Sequence, residues 1–357
     1  MKILILALSG IGDALMFTPG LRLLRKARPK AQIHALVMFP GVKDIYSSNP
    51  DLDKIIFYNF LQNGALKSFK FVMSLRGRYD LSINVYPSNR KEYNIISFLL
   101  GAKKRAAVEY LRANKQNLGW LNNITIKEDD ALHNVNENIN LVRKTLNLDN
   151  VEEPKLQLDI SGENRAFAEQ FLKSISIIES ELVIGFHPGC ATLKNQIKRR
   201  WEPEKFAELG RKLIEKNSAT ILLFGGPEEE ELKEKISNQI KSEKVFIVKT
   251  PDLMKSAAII KRCNAFVTND SSLMHIASAL GLKVIAIIGP TNTNYIHPWK
   301  TEHKIVSLNL ECSPCFFYSP RPLTCSRTDV KFKCIKELSV DMVYNSTIKF
   351  ISQENVL

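Results

Sequence analysis

The sequence predicts an α/β protein made of two doubly wound domains, each a parallel sheet covered by helices. Short apolar runs alternate with amphipathic stretches along all 357 residues, and such alternation is typical of parallel sheets with helices on both faces. The length suits two domains better than one core. We expect the domains to face one another, with ligands at the carboxyl ends of the strands in the cleft between them.

The predicted elements follow this alternation in chain order. The predicted strands are 2–8, 32–38, 54–58, 80–85, 104–108, 182–186, 219–224, 245–248, 265–268 and 284–288. The clearest helical patterns are 18–28, 62–76, 90–100, 203–217, 228–241, 253–262, 271–280 and 338–352. A polar segment with clustered acids, a proline and a glycine, 149–162, is typical of a linker. We therefore predict an N-terminal domain over 1–155, a C-terminal domain over 156–337 and a C-terminal helix within 338–357.

The composition indicates a folded protein that binds anionic partners. Hydrophobic residues make up 45% and charged residues 24%, and 50 Lys and Arg against 37 Asp and Glu give a net charge of +13. This excess favours phosphorylated substrates or anionic lipid headgroups. Nucleic acid is not expected, because the sequence has no Cys/His finger, no RNP-like aromatic motif and no long basic block.

No apolar run approaches the roughly 18 residues that span a bilayer. The N-terminal apolar run, Ile3 to Leu8, is short for a signal peptide and meets Gly-Ile-Gly-Asp at once, which favours a buried first strand and a tight turn. We therefore expect a cytoplasmic protein whose six cysteines are reduced.

A phosphate site is predicted where strand 265–268 leads into a helix. Asp270 is a candidate N-cap, and Gly281 stands where a left-handed residue follows a helix. The helix N-terminus offers free N–H groups and a positive dipole end to an anion, Ser271 and Ser272 add hydroxyl donors, and His275 lies one turn in. Ordinary capping explains Asp270 and Ser271 equally well.

Two further loops are predicted to complete this pocket. After strand 284–288, the tripeptide Gly289-Pro290-Thr291 would form a second wall, although a plain turn has the same composition. After strand 182–186, a basic run ends in Lys198, Arg199 and Arg200, which could neutralise a diphosphate. The alternative for this run is a solvated basic loop.

The loop after strand 219–224 is a candidate sugar contact. Gly225 and Gly226 allow backbone to approach a ligand closely, and Glu228 could accept hydrogen bonds from ribose hydroxyls. The alternative is that Glu228 is the first of four glutamates that open a helix, where acids suit the dipole.

The turn after the first strand carries a candidate general base. Gly10 and Gly12 suggest dinucleotide binding, but Leu15 occupies the position of the third glycine and Asp13 would repel a pyrophosphate. A carboxylate on a glycine turn at the cleft edge fits a general base better. A helix-start aspartate is the alternative.

Four cysteines near the C-terminus are a candidate structural metal site. Cys312, Cys315, Cys325 and Cys334 could bind zinc or iron as thiolates, but only the first pair has knuckle spacing. Reduced structural cysteines are the alternative.

Four segments in order resemble glycosyltransferase family 9, the ADP-heptose:lipopolysaccharide heptosyltransferases. They are GIGDALMFTP, KRRWEPEKFAELGRKL, GGPEEEE and NDSSLMHIASALGLKVIAIIGPT, and the resemblance covers nearly the whole chain. It implies the GT-B fold of two Rossmann-like domains, a tail helix that packs back on the N-terminal domain, and sugar transfer with inversion and without a metal or other cofactor. The Cys-x-Pro-Cys cluster also looks like a feature of many members.

The resemblance also implies residue roles. Asp13 would be the general base beside the acceptor, with Gly10 and Gly12 forming its turn, and Glu228 would hold the adenosine ribose. The diphosphate would be framed by Asp270, Ser271, Ser272 and His275. Two positions depart from the family pattern. Arg199 stands where a lysine is usual, so that either Arg199 or Lys198 binds phosphate, and Ser272 stands where a glycine is usual.

The predicted function is therefore heptosyl transfer from ADP-heptose to lipopolysaccharide core or a related surface glycan, by an enzyme peripheral to the inner membrane. The alternatives are a family relative that uses another nucleotide sugar and a non-catalytic nucleotide-sugar-binding relative. Basic residues of the first half could face the phosphorylated glycolipid acceptor or the anionic inner leaflet, or could be ordinary solvated surface: Arg76, Arg78, Lys103, Lys104 and Arg105.

Overall fold

A computed structural model of the chain describes residues 1–88, 90–149, 152–178, 180–317 and 322–352. It divides into two compact units. Met1–Asp159 form the first unit, and Ile160–Phe317 together with 322–352 form the second. The division falls between Asp159 and Ile160, inside the polar segment that the sequence indicates as a linker and close to the predicted boundary at 155.

The first unit is a six-stranded parallel sheet with helices between the strands. Its strands are β1 (Lys2–Ala7), β2 (Gln32–Val37), β3 (Lys54–Phe57), β4 (Leu81–Asn84), β5 (Lys104–Glu109) and β6 (Ile124–Lys127). Its helices are α1 (Ile11–Ala27), α2 (Pro40–Ser47), α3 (Ala65–Ser74), α4 (Lys91–Leu99) and α5 (Asn134–Leu146), with a 3-10 turn at Gly119–Leu121. The strand order is β3-β2-β1-β4-β5-β6.

The second unit repeats this plan. Its strands are β7 (Val183–His187), β8 (Thr220–Leu223), β9 (Val245–Ile247), β10 (Ala265–Asn269), β11 (Lys283–Ile287) and β12 (His303–Val306). Its helices are α6 (Gly162–Ser174), α7 (Pro203–Asn217), α8 (Glu230–Ile240), α9 (Leu253–Ile260), α10 (Ser272–Ala279), α11 (Lys333–Lys336) and α12 (Val340–Ser352), with 3-10 segments at Leu193–Arg199 and Pro227–Glu229. The strand order is β12-β11-β10-β7-β8-β9.

Both sheets have the strand order of a Rossmann fold, so the predicted α/β, doubly wound class is confirmed. The central strands are buried along almost their whole length, as expected when helices cover both faces of a sheet. In each sheet the strand order reverses once, between β1 and β4 and between β7 and β10. Ligands of such sheets bind at the carboxyl ends of the strands beside this reversal. The loops after these four strands are therefore where a site is expected.

All ten predicted strands are present, and the described residues contain two more that were not predicted. These strands, β6 and β12, are short and lie at the sheet edges, where all their side chains except Val306 are partly or fully exposed. Such segments lack the continuous apolar run that marks a central strand. Helix α1 begins at Ile11 rather than at 18, because Gly12 and the interior Pro19 hide its periodicity.

The C-terminal helix belongs to the second unit. Helix α12 contacts α7, β11 and β12, and its Val340 and Val343 join the hydrophobic core beside the second sheet. The helix therefore packs on the core of the second unit, and its expected packing on the N-terminal domain stays a prediction. Its apolar stripe, continued by Tyr344 and Ile348, matches that core. Residues 353–357 of the predicted segment lie outside the described residues.

The described helices contain none that is both long enough and apolar enough to cross a bilayer.

Candidate functional site

Asp13 lies at the strand-order reversal of the first sheet. The turn after β1 ends at Gly10, which is the N-cap of α1, and Asp13 sits in the first helical turn. Its Oδ2 accepts the Gly10 N–H at 3.1 Å. The helix N-terminus favours an ionised carboxylate at this position. Asp13 therefore stabilises the N-terminus of α1 through this hydrogen bond. Its side chain is only partly buried.

Two buried phenols lie near enough to this carboxylate for its charge to act on them. The Tyr46 hydroxyl donates to the Ala14 carbonyl at 2.9 Å, and the Tyr93 hydroxyl donates to the Leu8 carbonyl at 2.7 Å. Burial, with a smaller contribution from the Asp13 charge, raises the pKa of Tyr46 and raises that of Tyr93 to about 12. Both phenols therefore stay protonated at neutral pH, and the carboxylate is the basic group of this turn.

The equivalent reversal in the second sheet is occupied by a buried histidine. His187 ends β7; its Nδ1 lies 2.8 Å from Ser271 Oγ and its Nε2 lies 3.0 Å from Glu229 Oε2. Glu229 also accepts from Arg200 at 3.1 Å and from the Gly226 N–H at 3.2 Å. One hydrogen-bonded chain therefore joins the loops after β7, β8 and β10.

The negative charge of Glu229 is stabilised by its hydrogen-bond partners. Burial alone would raise the pKa of Glu229, but the hydrogen bond from His187, the electrostatic interaction with that ring and the charge of Arg200 hold it below its ordinary value. Glu229 is therefore ionised at neutral pH although its side chain is buried. Gly189 is required beside it, because an added Cβ would lie 1.7 Å from Glu229 Oε1.

A second junction centres on Asp270. Its Oδ2 accepts from Arg199 Nη1 and, at 2.7 Å, from Thr291 Oγ1. Arg199 also donates to Gln196 Oε1 at 2.7 Å, and its guanidinium carbon lies 5.2 Å from the centroid of the Phe316 ring. The structure therefore brings together three predicted site residues from three loops: Arg199, Asp270 and Thr291.

The start of α10 differs from the prediction by one residue. Ser271, with extended backbone angles, is the N-cap, whereas Asp270 precedes it and binds Arg199. The prediction that Asp270 caps the helix is therefore wrong. Ser272 is the first helical residue and is partly exposed, beside the free N–H groups of the first turn. At the other end Gly281 has a φ of 77°, so its predicted left-handed conformation is confirmed.

His275 is a buried neutral imidazole. Burial lowers its pKa to about 4, despite the opposing charge of Asp270. Its Nδ1 has no hydrogen-bond partner among the described residues. At neutral pH this ring can donate or accept a hydrogen bond, but it brings no positive charge.

The loop after β11 is fixed by its neighbours. The Gly289 carbonyl accepts from Ser313 Oγ at 2.8 Å, and the Pro290 carbonyl accepts the N–H groups of Cys315 and Phe316 at 3.0 and 2.9 Å. A Cβ at Gly289 would lie 2.5 Å from Ile335 Cγ1. This loop therefore forms a rigid wall beside Asp270 and tolerates only glycine at its first position.

Two predicted donor residues lie outside these contacts, and two residues were missed. Lys198 and Glu228 are exposed. His187 and Glu229 were not predicted, although His187 ends a strand and Glu229 stands three residues after a glycine, as Asp13 stands after Gly10. In both turns the acid accepts the N–H of the glycine three residues before it. This shared spacing could have indicated Glu229 from the sequence.

The four cysteines are not arranged as a metal site in the part of the chain that the structure describes. Among the described residues, no group of three or more His, Cys, Asp or Glu side chains is arranged to hold a metal ion. Cys312 Sγ accepts from Arg327 Nη1 at 3.5 Å, Cys325 Sγ accepts the Phe332 N–H at 3.3 Å, and Cys334 is buried in the core. The structure therefore does not support the predicted zinc or iron, and the four cysteines form no disulfide.

Comparison with known proteins identifies the family. The sequence is 28% identical to lipooligosaccharide heptosyltransferase 2 of Haemophilus ducreyi, over 86% of this chain and 89% of the relative. It is 26% identical to lipooligosaccharide heptosyltransferase 2 of Campylobacter jejuni, over 96% of both chains. The solved structure of the E. coli ADP-heptose lipopolysaccharide heptosyltransferase II has the same GT-B fold, with a TM-score of 0.76, 21% identity and full coverage of both chains. Residues 68–322 match glycosyltransferase family 9 (heptosyltransferase), and the chain belongs to this family.

Proposed function

We propose that this chain is an inverting heptosyltransferase that moves heptose from ADP-heptose to the lipopolysaccharide core or a related surface glycan. The proposal rests on the Asp270 junction, where one carboxylate joins the basic segment, the start of α10 and the loop after β11. We assign the donor to the second unit and the acceptor to the first. The solved E. coli relative is named for ADP-heptose, which supports this donor.

The diphosphate of the donor is proposed to lie at the N-terminus of α10. The N–H groups of the first turn and the Ser272 hydroxyl can donate to phosphate oxygens there. Arg199 and Arg200 are each paired with a buried carboxylate. We therefore propose that the exposed Lys198 supplies the net positive charge, and that the exposed Glu228 accepts hydrogen bonds from the ribose.

Two further groups would shape the same pocket. His275 is neutral, so it would offer the diphosphate a hydrogen bond rather than a charge. Gly289 and Pro290 would form the wall opposite α10, with Thr291 holding Asp270 in place. No metal is needed in this proposal, because helix N–H groups and lysine stabilise the charge that develops on the leaving diphosphate.

The proposed reaction is a single displacement. Asp13 takes the proton of the acceptor hydroxyl, and the acceptor oxygen forms a bond to the anomeric carbon. The bond between that carbon and the β-phosphate oxygen breaks, and its electron pair leaves with ADP. Attack opposite to the leaving group inverts the anomeric configuration. The Gly10–Gly12 turn holds the base at the carboxyl edge of the first sheet.

Donor selectivity is tested by calorimetric titration of the full chain with ADP-heptose, UDP-sugars and GDP-sugars. We expect saturable binding of ADP-heptose that exceeds binding of the other nucleotide sugars. Failure to bind any ADP-sugar would overturn the heptose assignment in favour of another donor. Ser272, in place of the usual glycine, would then be a candidate cause of the different donor preference.

Catalysis is tested by incubating enzyme, ADP-heptose and a phosphorylated core acceptor with excess chelator. We expect ADP release and a product whose anomeric configuration, read by NMR, is opposite to that of the donor. Retention of configuration would contradict the mechanism, chelator sensitivity would contradict metal independence, and binding without turnover would favour a non-catalytic relative.

A further inference from the structure

Two neighbouring helices of the first unit and the turn beside them expose large apolar side chains. Leu66 and Phe69 on α3, Ile95 and Phe98 on α4, and Trp120 in the adjoining 3-10 turn are all exposed to solvent. Leu66 is 69% exposed and Trp120 is 70% exposed. We call these five residues the α3–α4 surface.

The five residues belong to neighbouring elements. Helix α3 contacts α4, and α4 contacts the turn Gly119–Leu121. Both helices bury their other faces, through Val72 and Ile96, in the same core cluster on the first sheet. Arg105 ties the last element in, because its Nε donates to the Leu121 carbonyl at 2.9 Å and its guanidinium carbon lies 5.6 Å from the Phe98 ring centroid.

The remaining helices of this unit do not share the feature. Helix α1 contacts both α2 and α5, and no described residue of these three helices is a large hydrophobic side chain exposed to solvent. Among the described helices of this unit, the exposure is therefore confined to α3, α4 and their adjoining turn, while Met1, Phe57, Leu61 and Leu111 are exposed outside the helices. An apolar patch of this kind on a monomer marks an interaction site.

Positive charge is concentrated on the same stretch of chain. Residues 61–105 contain nine Lys and Arg against two Asp and Glu, a net charge of +7 within the chain's total of +13. Three of the lysines stand on α3 and α4 among the apolar residues, and all three are exposed: Lys67, Lys70 and Lys91. Exposed aromatic and aliphatic side chains interleaved with lysine are typical of helices that lie in the interface of an anionic membrane.

We infer that the α3–α4 surface docks the enzyme on an anionic phospholipid bilayer, with its apolar side chains in the headgroup region and its lysines on lipid phosphates. This inference rests on the proposed function, since a glycolipid acceptor is itself embedded in a membrane. Docking by the first unit brings the proposed acceptor-binding unit to the lipid surface. Vesicle binding can be measured without sugar transfer, so the two proposals can fail separately.

The protein carries its own probe of docking. Of its three tryptophans, Trp201 and Trp299 are buried and only Trp120 is exposed. With vesicles of phosphatidylcholine and phosphatidylglycerol, we expect a blue shift of tryptophan emission and quenching by brominated lipid. We expect neither with phosphatidylcholine alone or with the Trp120→Phe variant. An unchanged emission spectrum with the anionic vesicles would overturn the inference.

Sedimentation with the same vesicles measures the contribution of each part of the surface. The Lys67→Gln/Lys70→Gln variant is expected to bind roughly thirtyfold more weakly, since each lysine near an anionic surface contributes about 1 kcal/mol. The Leu66→Ser/Phe69→Ser variant is expected to lose at least about tenfold through lost apolar burial. Ile178→Ser, which removes a 63% exposed side chain from the second unit, is the matched control and should bind like the wild type.

Activity and assembly complete the test. The surface variants should keep wild-type turnover on a detergent-free, deacylated acceptor and lose it on the same glycolipid in anionic vesicles. Equal vesicle binding by the wild type and both surface variants, or an equal loss in Ile178→Ser, contradicts the inference. If the Leu66→Ser/Phe69→Ser variant instead converts a dimer to a monomer in analytical ultracentrifugation while vesicle binding persists, the surface joins two copies of the chain and the inference is wrong.

Discussion

His187 Nε2 lies 3.0 Å from Glu229 Oε2, and both side chains are buried at the strand-order reversal of the second sheet. The contact joins two loops, and Ser271 on the other ring nitrogen joins a third. Because Ser271 is the N-cap of α10, the pair orients the helix N-terminus at which we propose that the diphosphate binds. If the diphosphate binds there as proposed, Glu229 would be a positioning residue that acts through His187.

The adjacent glutamates of this loop should behave oppositely. Glu229→Gln removes a charge that holds His187 and Arg200, so we expect a loss of about 2–3 kcal/mol in the free energy of unfolding. Glu228→Gln changes an exposed side chain and should leave stability within about 0.5 kcal/mol, while weakening ADP binding about tenfold if Glu228 holds the ribose. Urea unfolding and calorimetry measure both. Equal stability of the two variants would contradict this account.

The Glu229 effect should depend on pH. The lowered pKa of Glu229 means that the stability it contributes is fully present above its ordinary value of 4.5 and is lost as the pH falls through the lowered folded-state pKa. The difference in unfolding free energy between wild type and Glu229→Gln should therefore be constant near neutral pH and shrink in acid. A difference that grows in acid would have the wrong sign.

Arg199 and Asp270 should be energetically coupled. A double-mutant cycle with Arg199→Gln and Asp270→Asn should give a coupling energy of about 1–3 kcal/mol, because each single change leaves a buried partner without its counter-charge. Chemical denaturation of the four proteins gives the value. Additivity within about 0.5 kcal/mol would mean that the ion pair does not hold the loops together.

Gly289→Ala should destabilise the second unit. The new Cβ would meet Ile335 Cγ1 at 2.5 Å, so we expect a loss of about 1–3 kcal/mol and weaker ADP binding. The matched control is Gly162→Ala at the first residue of α6, where the nearest atom would be 3.9 Å away. Alanine there should be neutral or stabilising. Similar melting temperatures for the two variants would contradict the close packing described at Gly289.

Ionised Glu137 should lower the free energy of unfolding of the first unit at neutral and basic pH. Burial, reinforced by the charges of Glu128, Asp129 and Asp130 and opposed by the Asp129 N–H, raises its pKa to about 7. The native state therefore resists its ionisation, and this cost grows from about pH 4.5 to pH 7. Glu137→Gln should gain about 1–2 kcal/mol at pH 8 and little at pH 4. Thermal melts that show no such dependence would contradict the raised pKa.

The sequence predicted the fold well because central parallel strands are continuous apolar runs. Strands such as 265–268 can be identified without any knowledge of the rest of the chain. Strands β6 and β12 could not, since each mixes polar and apolar residues within only four positions. The helical pattern of α12 was visible in the sequence, but the pattern alone does not show that its apolar stripe fits the core of the second unit.

The sequence indicated that three candidate residues lie together, but not how they contact one another. Asp270, Arg199 and Thr291 were assigned to one pocket, but no local signal indicated that Asp270 binds the other two rather than capping α10. Which of Glu228 and Glu229 is buried depends on how a single 3-10 turn is oriented, and the sequence does not show this orientation. The His187–Glu229 contact joins residues 42 positions apart, so only tertiary structure reveals it.

The most direct test of the proposed mechanism is the rate of heptosyl transfer by Asp13→Asn, measured with ADP-heptose affinity on the same preparation. Asparagine can still accept the Gly10 N–H, so the helix start and the fold should be kept. The account predicts a turnover lower by about 10²–10⁴-fold, with donor affinity within about threefold of wild type. Transfer at close to the wild-type rate would contradict the assignment of Asp13 as the general base.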